Sequence, residues 1–272
     1  MRNLFILIAI FFCISLLPSC QKEVVTQTEI VTDTITDTIT DTLTDTVTIN
    51  LKRGLIAYYP FSGNANDSSG NNKHGQLMNG TTFSTDAHNK LNSAASFDGL
   101  DDYITIPDSI DYFAPPKLSI SFLVNLNDIS ASSMIFNKGA FASPSGVVWG
   151  SGIAPDGKVG FTIAEPTVDC FTNWVSNPSL DLMSATSLQN NKWMHVTFIY
   201  NLGVQLTYIN GVLDAAKVSN YNYLKHCKTA NLKIGGWWQN DIVSIHGKVD
   251  EIRIYNRILA ENEIEHLAGE RN

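Results

Sequence analysis

A nearly all-β sandwich of two antiparallel sheets is the fold class this sequence predicts, and three observations carry the prediction. Residues 51–272 are built from short runs in which apolar and polar residues alternate, the period of a strand rather than of a helix. Clusters of Gly, Asn, Asp, Ser and Pro separate those runs and mark turns. Only the tail, residues 260–268, has helical spacing, with Ile264, Leu267 and Ala268 among Glu and His. More than 200 residues of short strands with no interleaved helices exclude a βαβ arrangement and favour a sandwich.

Taken in chain order, residues 1–19 read as an export signal. Arg2 gives a positive start, residues 4–17 are an almost unbroken apolar run, and Leu17, Pro18 and Ser19 lead into Cys20. The run is too short to span a bilayer comfortably and has a signal peptide's flanks. Its end resembles a bacterial lipobox, which implies acylation of Cys20, a lipid anchor in the membrane, and a place at the outer membrane or cell surface. Pro18 departs from the commonest lipobox pattern, so a plain cleaved signal is the alternative.

Residues 20–50 form a low-complexity stalk. Val31, Ile35, Ile39, Leu43 and Val47 recur every four residues within Thr-Asp-Thr repeats. An extended chain puts the threonines on one side and alternates aliphatics with Asp on the other, so no purely apolar face results. Residues 24–50 contain no Lys or Arg, and like charge extends such a linker. About 30 residues at roughly 3.3 Å each reach up to about 100 Å. Each Asp-Thr-aliphatic step resembles the O-glycosylation acceptor of exported Bacteroidetes-type proteins, which implies sugars on Thr34, Thr38, Thr42 and Thr46.

Within residues 51–272 the clearest strands are 118–126 (LSISFLVNL), 193–200 (WMHVTFIY), 206–209 (LTYI) and 249–255 (VDEIRIY). Asn210-Gly211 predicts a tight hairpin, because both central positions of such a turn need positive φ. Strict alternation would put Asp250 and Glu251 on opposite faces of one strand, where they cannot act as a pair.

Residues 54–75 (GLIAYYPFSGNANDSSGNNKHG), 97–104 (FDGLDDYI), 192–196 (KWMHV), 208–211 (YING), 232–235 (LKIG) and 247–257 (GKVDEIRIYNR) together resemble laminin-G-like, concanavalin A-like domains of bacterial exported proteins. The resemblance implies a jelly roll of six or seven strands per sheet, and a lectin-like, non-catalytic role in binding glycan or polysaccharide. The alternative is a protein-binding adhesion or envelope-assembly module. Many relatives carry Trp where this chain has Leu123, which puts a stacking role at that position in doubt.

Several activities are disfavoured. Glycan cleavage on this fold commonly needs paired carboxylates, and no Glu-x-Asp-x-x-Glu strand motif occurs. There is no Gly-x-Ser-x-Gly elbow and no zinc-type spacing of His or Cys. His195, inside a strand, reads as a packed structural histidine. A net charge of −8 and the lack of any basic run argue against nucleic acid.

Three candidate sites remain. The oxygen-rich loop at residues 66–72 suits calcium, and the resemblance implies that Asp67 and Asn72 meet Asp250 there around one structural Ca2+; the alternative is that they only cap turns. Asp98-Gly99 reads as a hairpin turn rather than part of a ligand set. Trp237, Trp238, Gln239 and Asn240 offer flat apolar faces beside hydrogen-bonding groups, the combination a sugar site needs, with core packing as the competitor; Trp149 and Trp174 are weaker candidates, and Trp193 reads as core. Cys170 and Cys227 are the even pair left after processing, and in an exported domain such a pair forms a disulfide.

Overall fold

The computed structural model describes residues 49–108, 112–140, 146–163, 181–219, 222–224, 231–236 and 244–270. Cys20, the four stalk threonines, Trp174, the Cys170 and Cys227 pair, and Trp237, Trp238, Gln239 and Asn240 lie outside the described residues.

Two antiparallel sheets form, as the alternation requires. The first contains β1 (Leu55–Tyr59), β3 (Thr82–Ser84), β4 (Ala94–Asp98), β6 (Lys117–Leu126), β11 (Met194–Asn201), β12 (Val204–Ile209), β13 (Val212–Val218) and β15 (His246–Tyr255). Its order is β13-β12-β11-β6-β15-β4-β3, with β1 also on β15. The second contains β2 (Gln76–Met78), β5 (Tyr103–Ile106), β7 (Ser133–Ala140), β8 (Gly146–Ile153), β9 (Lys158–Ile163), β10 (Asp181–Ser187) and β14 (Leu232–Ile234), in the order β10-β9-β8-β7-β14-β5-β2. The second sheet has the expected six or seven strands, and the first exceeds that by one.

Alternation decides which side chains fill the space between the sheets. On β6, Leu118, Ile120, Phe122, Val124 and Leu126 enter the core, while Ser119, Ser121 and Leu123 point the other way. Phe122 and Phe198 of the first sheet meet Phe136 and Phe161 of the second, edge-on at 4.6 Å for Phe122–Phe136 and stacked at 4.9 Å for Phe161–Phe198. Each such ring removed from water contributes roughly 1.5–3 kcal/mol. Trp149 is fully buried and its indole N–H donates to the Phe113 carbonyl at 2.7 Å, so it is core and not a ligand platform. Trp193, expected in the core, is half-buried instead.

The helix falls one residue later than expected, as α1 (Glu261–Gly269). Ala260 cannot cap it with a side chain, but Glu263 reaches back to the Ala260 N–H at 2.9 Å. Its Ile264 and Leu267 pack with Ile199, Tyr208 and Tyr255, covering part of the first sheet's outer face. Asn210 (φ 53) and Gly211 (φ 86) form the predicted β12–β13 turn. Where the sheet edges meet, Asp214 on β13 accepts the Ala185 N–H of β10 at 2.6 Å. No helix among the described residues is long and apolar enough to cross a membrane.

Candidate functional site

On the side of the second sheet turned away from the core, the strand register builds a polar row, in which Asn137, Thr162 and Lys233 are buried. Asp181 pairs with Thr162, Thr162 with Gly150, Gly150 with Asn137, Asn137 with Lys233, Lys233 with Thr105, and Thr105 with Gln76. One residue from each of seven strands therefore lies on one line, about 29 Å long at roughly 4.8 Å per strand. Their neighbours along the strands, among them Phe136, Phe161, Ile163, Leu232, Ile234, Ile104 and Ile106, are core, so the row itself points outward.

Asn137 stands at the centre of this row. It is 0% exposed, and neither its Oδ1 nor its Nδ2 has a hydrogen-bond partner among the described residues. A buried amide left in this state costs about 1–3 kcal/mol. Gly150 lies opposite: a Cβ there would come within 3.2 Å of the Asn137 Nδ2. Beside Asn137, Lys233 holds its ammonium 4.5 Å from the Tyr103 ring, and burial lowers its pKa. At the far end, Thr162 donates its hydroxyl to the Asp181 carboxylate. Burial pushes Asp181 up to about 7, against the opposing pull of Thr162 and Lys217. Amides, hydroxyls, a carboxyl and an ammonium in line can exchange hydrogen bonds with a hydroxyl-rich ligand.

The segment carrying the candidate tryptophans is anchored at the same place. The Gly235 N–H donates to the Ile135 carbonyl at 2.8 Å and the Ile245 N–H to the Gly235 carbonyl at 3.2 Å. The chain thus leaves and returns beside Ile135, two residues along β7 from Asn137. Gly235 has φ 86, and a Cβ there would overlap the Phe97 ring at 2.3 Å, so only glycine fits this anchor.

The expected calcium ligands are arranged differently. Asp67 Oδ1 accepts the N–H groups of Tyr58 (3.0 Å) and Ser69 (2.8 Å), and Oδ2 accepts the Lys73 N–H (3.0 Å) and the Ser69 hydroxyl (2.9 Å). Four donors fill the four acceptor positions of a carboxylate. Burial raises the Asp67 pKa, but the hydrogen bonds from Lys73, Ser69 and Tyr58 outweigh it and hold it low. Asn72 takes a left-handed turn conformation (φ 56). As arranged, Asp67 organises its loop and does not fit an ion. The carboxylates that do converge are Asp98, Asp101 and Asp102, with ligand atoms within 4.8 Å of one another, the only such group among the described residues. They do so in a turn where Asp102 accepts the Asp98 and Gly80 N–H groups.

Asp250 faces a different pocket, and here strict alternation fails. A bulge interrupts the β15–β6 register between Asp250 and Arg253, and Glu251 has φ 51. The extra residue turns both Asp250 and Glu251 into one cavity, with Tyr58, Leu123 and Arg253. Arg253 bonds Glu251 and Glu270, each at 2.7 Å, and lies 4.3 Å from the Tyr58 ring. His195 is 1% exposed, with its Nε2 2.8 Å from the Ser121 hydroxyl, the packed position the sequence implies.

A family profile described as the concanavalin A-like lectin/glucanases superfamily matches residues 97–265. Among solved structures, the binding domain of Paraclostridial Mosquitocidal Protein 1 aligns with a TM-score of 0.60 at 16% identity, covering 81% of this chain and 53% of that one. The binding domain of Botulinum Neurotoxin DC, solved with SialylT, aligns at 0.59 and 16% identity over 82% of this chain and 53% of that one. This chain therefore spans about half of those toxin domains. Domain 4 of AbnA, a GH43 extracellular arabinanase from Geobacillus stearothermophilus solved with arabinotriose, aligns at 0.51 and 20% identity over 79% of this chain and 98% of that one. No curated protein matches the sequence. The profile spans more than half of the chain, on the two-sheet fold described above, and the chain belongs to the concanavalin A-like lectin/glucanase superfamily.

Proposed function

We propose that this protein is a non-catalytic glycan-binding protein that takes an extended polysaccharide along the outer face of its second sheet. One observation carries the reading: Asn137 is fully buried at the centre of a seven-strand polar row, with both amide atoms lacking a partner. A fold that leaves such a group unsatisfied gains nothing from it in isolation, whereas a ligand hydroxyl that reached the amide, once uncovered, would donate to Oδ1 and accept from Nδ2. The row's length of about 29 Å suits several sugar rings in sequence. Trp237 and Trp238, whose segment is anchored beside β7, supply stacking faces, with Gln239 and Asn240 as hydrogen-bonding neighbours. That structural neighbours were solved with SialylT and with arabinotriose supports the ligand class.

The sequence adds a setting. The signal ending at Cys20 and the Thr-Asp repeat make this an exported lipoprotein carried on a stalk at the outer membrane or cell surface, glycosylated at Thr34, Thr38, Thr42 and Thr46 and closed by a Cys170–Cys227 disulfide. Affinity electrophoresis through polysaccharide gels tests the binding reading: Trp237→Ala and Trp238→Ala should each lose retardation while melting as the parent does. Equal retardation of both variants and the parent would overturn the tryptophan assignment. The intact mass of the protein from its natural source tests acylation and glycosylation together.

A further inference from the structure

The pocket beside the β15 bulge is a second place where ligand chemistry is prepared, on the opposite sheet from the polar row. Its volume is about 260 Å3, roughly one sugar ring with room for its substituents. Four carboxylates reach it: Asp86, Asp250, Glu251 and Glu270. The Arg253 guanidinium is taken up by Glu251 and Glu270 and rests on Tyr58. Asp86 and Asp250 have no ion-pair partner among the described residues.

Asp250 is the telling group. It is 3% exposed, yet the one hydrogen bond its carboxyl accepts is the adjacent Glu251 N–H, on Oδ1 at 2.7 Å. Among the described residues no side chain donates to it, and Oδ2 has no donor. Glu251 and then Asp86 act on it by repulsion, and Arg253 by a weaker attraction. Asp86 itself spends Oδ1 on the His88 and Lys90 N–H groups, both at 2.8 Å. Two carboxyls thus share a cavity in which neither is ion-paired among the described residues; burial and the neighbouring Glu251 push Asp250 up to about 8, so it holds a proton that an entering cation would displace.

The geometry points to an amino sugar with a free, protonated amine as the occupant. A metal ion is a poor match, because no three acidic or histidine ligand atoms of this pocket lie within 4.8 Å of one another, and a hard cation needs a tighter shell. An ammonium needs only two carboxylate acceptors, here Asp86 and Asp250, and makes charge-assisted bonds to both. The ring hydroxyls find the remaining acceptor on Glu270, and the ring's apolar face rests on buried Leu123. This site does not depend on the polar row, since it uses different strands of the other sheet.

Saturation-transfer NMR and titration calorimetry on the mature chain test the proposal with three probes: glucosamine, N-acetylglucosamine and Nα-acetyl-lysine methyl ester. Binding of glucosamine at least tenfold tighter than of N-acetylglucosamine is expected, with tenfold or greater loss in Asp250→Asn. Should Asp250→Asn fail to fold, Asp86→Asn on the half-buried side reads the same contact, and Leu123→Trp, which fills the cavity, should abolish binding. Equal binding of the two sugars, or none of either, overturns the proposal, and tighter binding of the lysine ester overturns the sugar assignment. Asn137→Leu should leave glucosamine binding unchanged, so failure of the polar-row reading and failure of this one are distinguishable.

Discussion

Replacing Asn137 with leucine should make the protein more stable and less able to bind glycan. The side chains are similar in size, so the swap removes two polar atoms without opening a cavity. Asn137 is 0% exposed and neither amide atom is bonded, so the parent carries the desolvation of an unsatisfied amide, about 1–3 kcal/mol. Relief of that cost, together with the apolar transfer of leucine, should raise stability by about 1–3 kcal/mol, or roughly 2–12 °C in Tm for a domain of this size. Urea denaturation, followed by tryptophan fluorescence with parent and variant sharing one m-value, gives the difference directly. A loss of more than 1 kcal/mol would refute the reasoning, since it would mean that Asn137 is satisfied and structural.

Three further outcomes follow from the same geometry. Lys138 and Asp108 form an ion pair at 3.0 Å with both side chains 0% exposed, so Lys138→Met should cost about 3–5 kcal/mol at pH 7. Burial raises the Asp108 pKa, but Lys138 together with the Phe113 and Tyr112 N–H groups holds it low; without Lys138 the carboxyl protonates more readily, so the loss should shrink at pH 4.5, and Asp108→Asn in the same chain should recover part of it. Asp181 has a folded pKa of about 7, above its unfolded value, so the stability it contributes is full below about pH 4 and is lost as pH rises through 7. Asp181→Asn should flatten that decline by at most about 4 kcal/mol, and by about half that once solvent at the half-exposed group is counted; identical pH profiles would contradict it. Because backbone and hydroxyl donors fill the Asp67 acceptors, EDTA should leave Tm unchanged within 1 °C, and a drop of more than 3 °C reversed by calcium would restore the ion.

What the sequence shows and what it hides divide along physical lines. Alternation along β6 and β11, the Asn210-Gly211 turn and the Ile264/Leu267 spacing of α1 are local signals, and each produced its element. The polar row is not local: Asp181, Thr162, Asn137, Lys233, Thr105 and Gln76 are scattered over more than 100 residues and come together only through the register of seven strands. Asn137 next to Lys138 looks like an ordinary polar pair in a strand, and nothing in its neighbours announces burial. The Asp250–Glu251 pocket was hidden for the opposite reason. Period-two alternation fails at Glu251, a non-glycine residue with φ 51, and a bulge has no reliable signature in a single sequence. The Asp67 loop is visibly rich in oxygen acceptors in the sequence, but the backbone donors that occupy them belong to the folded chain.

The claim that the second sheet's outer face binds glycan is tested most directly by a polysaccharide and glycan array read side by side with the parent and Asn137→Leu. The account predicts selective, saturable signals for the parent that fall at least tenfold in the variant, although the variant is at least as stable. Equal signals from the two proteins would contradict it, and silence from the parent across a broad panel would move the search to protein partners at the cell surface.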